Sequence, residues 1–357
     1  MSRTLPWGTS EALSAGPISL RPSEPSPSAI GDWRAAGLRY HAYNFFLRRR
    51  FGTRVQKVSV DAGFTCPNVD GTLAIGGCTF CDNRSFSPSR RVPRLAIREQ
   101  IDDGIRRLKK RYRCNSFIAY FQPATNSYAP VERLRPLYAA AIEHPQVAGL
   151  AVGTRPDCVP NDVLDLLGEI AGDTYLSLEL GMQTMHNRSL DWMNRGHHHD
   201  ATIDAIERCR GRGFEVCLHI MLGLPGETPE DMLATAHEVA RLGVDAVKIH
   251  NLYAVKNTPL ADQVVRGEVT LMEREEYIRV LINFLELLPP ACLVERISGE
   301  APPDYFLGPS WCLDKPSLRQ AILAEMGRRD TWQGKQTGAP PQSLLAGGQF
   351  PSQPAAC

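Results

Sequence analysis

The chain has 357 residues, 43% hydrophobic and 22% charged, with a formal net charge of +1. This balance excludes bulk electrostatic attraction to nucleic acid or to an anionic membrane, and no run approaches the roughly 18–20 apolar residues of a spanning helix. The length suits one barrel-sized domain of roughly 250 residues with appendages, and without a basic, apolar-cored leader the expected location is cytoplasmic.

Residues 1–37 are rich in Ser, Pro, Gly and Ala without an apolar period, and 334–357 are similar, so both are expected to be disordered tails. Between them lie an expected core domain, 38–290, which opens on a short helix at 39–50, and a C-terminal extension, 291–333. Apolar, β-branched runs of strand length fall at 55–60, 117–121, 147–152, 175–180, 215–221 and 246–252. Between successive runs after the cysteine loop lie segments of helical spacing, at 97–111, 131–142, 162–170, 201–210 and 229–242, and a last helix follows at 272–288. Asn161-Asp162, Asp200 and the pair Thr228 and Asp231 read as helix starts, Gly213 and Gly243 as helix ends.

Repeated β-α alternation predicts a parallel sheet covered by helices. The expected fold is therefore α/β, a partial (β/α)6 TIM-like barrel, with an open doubly wound sheet as the alternative. In both, ligands belong beyond the C-terminal ends of the strands. The polar and glycine-bearing stretches fall there: a cysteine loop after the first strand, Gln122 to Asn126 after the second, Thr154 to Asp157 after the third, Gly181 to Gln183 after the fourth, Gly223 to Glu227 after the fifth and Lys256 to Thr258 beyond the sixth.

The cysteine loop carries Cys66, Cys78 and Cys81, and no fourth cysteine or histidine occurs between Phe64 and Arg91. A structural zinc site closes on four ligands, so these three would need a remote fourth. A [4Fe-4S] cluster also usually takes four cysteines, and with three, one iron is left open for chemistry. Cys114, Cys158, Cys209, Cys217, Cys292 and Cys312 stand singly in apolar or helical surroundings and read as small buried hydrophobes. Cys357, at the end of the chain, is incidental.

The run Asp61-Ala-Gly-Phe-Thr-Cys66-Pro-Asn, followed by Asp70-Gly-Thr and Gly76-Gly-Cys78-Thr-Phe80-Cys81, resembles the radical S-adenosylmethionine (radical SAM) superfamily. Eleven residues separate Cys66 from Cys78, where the common superfamily spacing has three. The longer gap is similar to the Elongator catalytic subunit's radical SAM domain and to the bacterial YhcC-like family, and the resemblance spans about residues 39–333. It implies a partial barrel of the radical SAM type and a [4Fe-4S] cluster on Cys66, Cys78 and Cys81. S-adenosyl-L-methionine (SAM) on the open iron would be cleaved reductively to a 5′-deoxyadenosyl radical that abstracts hydrogen from a substrate.

The same resemblance implies roles for other residues. Phe80 would lie by the adenine, Gln122 and Asn126 near the methionyl amine, and Gly223 and Gly226 along the adenine side. Leu178-Glu-Leu-Gly-Met-Gln183 and Met193-Asn-Arg-Gly-His197 are similar to Elongator-type and oxygen-independent coproporphyrinogen oxidase-type enzymes, and imply that Glu179, Gln183 and Arg195 hold SAM. His219 replaces an acidic residue of the latter type, which argues against that activity. Glu295 to Glu300 and Trp311 to Lys315 match the YhcC-like family as a cover for the substrate face, which Lys248, His250 and Lys256 would line. The implied partners are a reductant such as flavodoxin or ferredoxin and a substrate that is a small molecule, a protein or a tRNA. No membrane and no stable nucleic-acid complex are expected.

Three further features weigh on function. His197, His198 and His199 cannot all face one point, so they are not read as a metal cluster. The basic runs at 48–54 and 106–113 read as solvated faces, with tRNA phosphate contact as the alternative. No acetyltransferase-like segment or second cysteine cluster follows, so the full Elongator reaction and an auxiliary cluster are not expected. The readings that remain beside a radical SAM enzyme are an Elongator-like tRNA-modifying enzyme and a non-catalytic zinc or Fe-S electron-transfer module.

Overall fold

A computed structural model describes residues 32–337. The outer parts of the two expected tails, 1–31 and 338–357, lie outside the described residues. Within the first expected tail, 1–37, the described Trp33 is buried, donates its indole N–H to the Pro290 carbonyl (3.0 Å) and stacks on His41. The packed chain thus includes Trp33.

Seven strands form one sheet in which every neighbour is parallel: β1 (Val55–Val60), β2 (Ser116–Phe121), β3 (Val147–Thr154), β4 (Tyr175–Gln183), β5 (Glu215–Leu222), β6 (Ala246–Asn251) and, beyond a short β7 (Ala254–Val255), β8 (Leu293–Arg296). The order is β1-β2-β3-β4-β5-β6-β8, so the sheet is a curled half-barrel, open between β1 and β8. The expected partial barrel is present with one strand more than the six. The added strand comes from the segment read as an extension. β7 pairs with β9 (Phe306–Gly308) in a separate antiparallel ribbon.

The helices are α1 (Tyr43–Phe51), α2 (Asn83–Phe86), α3 (Ile97–Tyr112), α4 (Val131–Ile142), α5 (Asn161–Asp173), α6 (Asn187–Trp192), α7 (His199–Cys209), α8 (Pro229–Leu242), α9 (Pro259–Val265), α10 (Arg274–Leu287) and α11 (Lys315–Arg328). Ends follow local chemistry. At the start of α8 the Thr228 hydroxyl accepts from the Asp231 N–H while the Asp231 carboxylate accepts from the Thr228 N–H, and Gly243 ends the helix at φ 64°. Several expected boundaries moved, two of them for a visible reason. The first helix begins at Tyr43 because Ala42 bridges Val294 and the His41 carbonyl accepts from the Val294 N–H (2.8 Å), which keeps the preceding residues extended along β8. α7 ends at Cys209, and Gly213 falls beyond it in the turn.

Period-two alternation divides the strands between two faces. Val58, Val60, Val152 and Leu178 join the larger core under the outer helices, whereas Val55, Ile118, Ala151, Tyr175, Ala246 and Leu293 face inward. Tyr43, Phe46 and Leu47 of α1 close the inner layer from below, each at 6% exposure or less. Burial of such side chains contributes about 1.5–3 kcal/mol apiece. With one end plugged, the polar inner residues lie nearer the C-terminal ends of the strands. No helix among the described residues is long and apolar enough to cross a membrane.

Candidate active site

The loop after β1 returns on itself. Val69 N–H and Asp70 N–H donate to the Cys66 carbonyl (2.8 and 3.1 Å), Leu73 N–H donates to the Pro67 carbonyl (2.9 Å), and Gly77 N–H donates to the Asn68 carbonyl (2.9 Å). Residues 69–76 are therefore an excursion pinched at its base, with Val69, Leu73 and Ile75 exposed. The long gap between Cys66 and Cys78 lengthens a surface loop and leaves the two cysteines on adjoining turns.

Side chains remote in sequence tie this loop down. Asn68, fully buried, donates through Nδ2 to the carbonyls of Asn194 (2.5 Å) and Arg195 (2.9 Å) and to Cys78 Sγ (3.5 Å), and accepts at Oδ1 from Arg155 Nη1 (2.7 Å). Asn194 Nδ2 donates to the Gly77 carbonyl (2.8 Å), and Thr79 bonds the carbonyls of Met193 and Trp192 through its N–H and hydroxyl. Arg155 is itself held by both oxygens of Asp157 (2.9 and 2.7 Å). The segment 192–195 is a strap across the cysteine loop.

Arg195 reaches from that strap to the thiol and to β4. Its Nη1 donates to Cys78 Sγ (3.4 Å) and its Nη2 to the Gly181 carbonyl (2.9 Å), while its Nε is buried without a partner. Gln183 stands alongside, at φ 70°, with its amide so close that a Cβ on Gly181 would lie 2.8 Å from it and 2.4 Å from the Arg195 guanidinium. Burial, the neighbouring Cys78 charge and the Cys66 charge push the Cys81 thiol up to about 12 against the pull of Arg195. Burial and Arg195 hold the His197 imidazole down at about 4 despite Asp157, so it is neutral at pH 7, with a buried Nε2 that has no partner.

The other expected residues distribute unevenly. Asn126 is fully buried on the loop after β2, its Nδ2 donating to the Gly153 carbonyl (2.8 Å) and its Oδ1 unpartnered. Gln122 is half-buried at the end of β2. Phe80 packs with Leu190, Met193, Met221 and Leu224. Gly223 needs its φ of 85°, and a Cβ there would press on Met272 at 3.2 Å; Gly226 has open space. His198 bonds Asp191 and His199 bonds Glu238, so the histidine run points to separate partners.

Glu179, expected to help hold SAM, meets protein partners in this structure. It is fully buried in the half-barrel, with Oε1 bonded to Lys57 Nζ (2.6 Å) and Oε2 to Lys248 Nζ (2.7 Å), the Tyr120 hydroxyl (2.7 Å) and His219 Nε2 (2.6 Å). Glu295 takes Lys57 from the other side (2.6 Å). Despite the burial, Lys248 and Lys57 hold the Glu179 carboxyl well below its usual range. Both oxygens are thus committed to an internal network that spans β1, β2, β4, β5, β6 and β8. His219, the departure from the coproporphyrinogen oxidase type, is part of it.

Among the described residues no three His, Cys, Asp or Glu side chains converge as the ligands of a single ion would. Cys114, Cys158, Cys209, Cys217, Cys292 and Cys312 are free and buried. Sequence reasoning missed Asn68, Arg155, Lys57 and Glu295 as organisers. Asn68 directly follows Cys66-Pro67, and Lys57 is a charge in the middle of a β-branched strand run, which are the signals that were present.

Residues 75–239 match the model of the radical SAM superfamily, and residues 244–328 match that of the radical SAM C-terminal domain. The YtqA protein of Bacillus subtilis (strain 168) is 39% identical over 300 residues, which span 83% of this chain and 92% of that protein. The chain belongs to the radical SAM superfamily. YhcC of Escherichia coli (strain K12) is also 39% identical, over 74% of this chain and 85% of its own. Among solved structures, Elp3 of Methanocaldococcus infernus with an N-terminal deletion superposes with a TM-score of 0.60 at 19% identity, over 78% of this chain and 64% of that one, a likeness of fold. As a radical SAM protein it is an enzyme of that class. The superfamily match covers Cys78 and Cys81 and starts after Cys66.

Proposed function

We propose that Cys66, Cys78 and Cys81 hold a [4Fe-4S] cluster and that Arg195, Gln183 and Asn126 position SAM beside it. When bound, this pair supplies a one-electron reductive cleavage of SAM that yields a 5′-deoxyadenosyl radical able to take hydrogen from a substrate. The observation that carries the reading is Arg195, one side chain that bonds a cysteine sulfur and a β4 carbonyl and keeps a buried Nε free.

The residues supply binding and orientation. Arg195 brings a permanent positive charge to the cysteines, which favours their thiolate form, and its free N–H suits the carboxylate of an amino acid. Asn126 offers an unpaired acceptor, Oδ1, for an ammonium donor. His197 is neutral and can bond without adding charge. Phe80 gives an apolar wall, and Gly223 and Gly226 let the backbone come close to an adenine. Glu179 acts one layer below by fixing Lys57 and Lys248. Radical SAM enzymes take their electron from a reductant, here a flavodoxin- or ferredoxin-type carrier, and a cytoplasmic location suits an oxygen-sensitive centre.

The test is the EPR spectrum of the dithionite-reduced, anaerobically reconstituted chain with and without SAM. The reading expects SAM to shift the spectrum of the wild type, a weaker response in Arg195→Ala, and no [4Fe-4S] signal in Cys78→Ala. A loaded wild-type cluster that ignores SAM sinks it.

A further inference from the structure

The strand supplied by the C-terminal segment is irregular in a way that aims a charge into the half-barrel. In the pairing of β6 with β8, Ala246 lies opposite Leu293 and Val247 opposite Val294, but Lys248 lies opposite Arg296. Glu295 is the additional residue. Leu293 faces inward and Val294 outward, Glu295 reaches inward to Lys57, and Arg296 shares the inner face with its neighbour Lys248. Ile297 is outside again, packed on the outer core. Two successive inward side chains are the signature of a bulge, a device that re-aims residues at sheet edges and beside active sites.

The charge balance of the lumen leaves Arg296 over. Lys57 and Lys248 are matched by Glu179 and Glu295, and Lys315 by Glu300 (2.7 Å). Half-buried Arg296 makes no ion pair or hydrogen bond among the described residues. An arginine cannot neutralise itself by losing a proton, and a poorly hydrated unpaired cation is costly. Its surroundings feel the surplus: burial and then Arg296 press the His250 pKa well below its usual value and lower that of Lys315, and Arg296 also opposes burial at Tyr253.

Two of these groups meet beneath the backbone that follows β8. A Cβ on Gly299 would lie 2.8 Å from the Tyr253 ring and 3.0 Å from His250 Nδ1, so the backbone after β8 closes tightly over both. His250 in turn packs on His219, with ring centroids 5.6 Å apart. Tyr253 lies within electrostatic reach of both Cys81 and Arg296. The unmatched charge thus stands next to Lys248 in the sheet register and within electrostatic reach of His250, Tyr253 and Lys315.

We propose that Arg296, flanked by Tyr253, His250 and Lys315, binds an oxyanion of the substrate, a carboxylate or a phosphate ester. The fork of the guanidinium matches either group through two parallel N–H bonds. This assigns the substrate class for the reading given above and rests on it: the anion is the handle by which a substrate is held with its reacting carbon toward the cysteine loop. The C-terminal segment is then a binding element of the site, since it supplies Arg296 and Lys315.

The test is arginine labelling by phenylglyoxal on the full, reconstituted chain, read by mass spectrometry peptide by peptide. Benzoate, phenyl phosphate and neutral benzyl alcohol serve as probes at matched ionic strength. An anion present at ten times its Kd is expected to slow labelling of Arg296 about tenfold by mass action, with exposed Arg106 and Arg107 unaffected. Protection by benzoate alone assigns a carboxylate, by phenyl phosphate alone a phosphate ester, and by both a general oxyanion pocket. No protection by either anion, or equal protection by benzyl alcohol, overturns the proposal. Thermal shift is the second readout: stabilisation by the protecting anion is expected to vanish in Arg296→Gln, and its persistence there overturns the proposal. Because neither readout requires SAM cleavage, failure here is distinct from failure of the radical SAM chemistry.

Discussion

Replacing Asn68 by Ala cuts the cysteine loop from its supports. The substitution removes the acceptor of Arg155 Nη1 and the donor shared by the Asn194 and Arg195 carbonyls and Cys78 Sγ. A hydrogen bond to a charged partner contributes about 1.5–3 kcal/mol, and each buried carbonyl left unpaired costs about 1 kcal/mol or more. Asp157 still holds the other edge of Arg155, so the expected loss is about 3 kcal/mol. For a large domain this corresponds to a fall in Tm of roughly 5–10 °C. Thermal unfolding of the apo chain and iron per chain after anaerobic reconstitution measure the two effects. Asn68→Asp separates them: it retains an acceptor for Arg155 but loses the donors and sets a negative charge beside Cys78, so it should recover part of the stability and little of the iron. Full iron loading with an unchanged Tm in Asn68→Ala refutes the strap.

Gly181→Ala should keep the fold, because its Cβ meets only side-chain ends of Arg195 and Gln183 and no backbone, yet weaken SAM binding at least tenfold by equilibrium dialysis; unchanged affinity would separate Arg195 from SAM. Glu179→Gln should destabilise the apo chain by about 3–5 kcal/mol in urea titration, since it strips two buried lysines of their shared carboxylate, and a change under 1 kcal/mol contradicts the network. Glu215 tests the pH dependence: burial raises its pKa from 4.5 to about 7 although the Tyr175 hydroxyl bonds it. The folded state therefore holds a proton that the unfolded state has lost between those values. Stability should fall by about 3 kcal/mol as pH rises through this window, the penalty being absent below pH 4.5 and complete above 7. Glu215→Gln should flatten that slope, and an identical slope in both proteins contradicts the assignment.

The architecture was legible where one physical rule decided it. The β-branched run 55–60 and the helical spacing of 131–142 form the elements β1 and α4 at those bounds. β8 was not legible, because four residues ending in Glu-Arg gain strand character only from the free edge of β6. The cysteines could be read from their spacing, but the closure of the excursion between them depends on Asn194, Arg195 and Arg155, more than 80 residues away in sequence. Glu179 shows the converse limit. A strand-end carboxylate can meet a ligand or a lysine, and only the fold reveals Lys57 and Lys248 on either side of it.

The central claim is tested most directly by anaerobic reconstitution with iron and sulfide, addition of dithionite and SAM, and measurement of 5′-deoxyadenosine, with Cys81→Ala as control. The account predicts about four irons per chain and accumulation of 5′-deoxyadenosine in the wild type alone. A fully loaded wild-type cluster that releases no 5′-deoxyadenosine would contradict it.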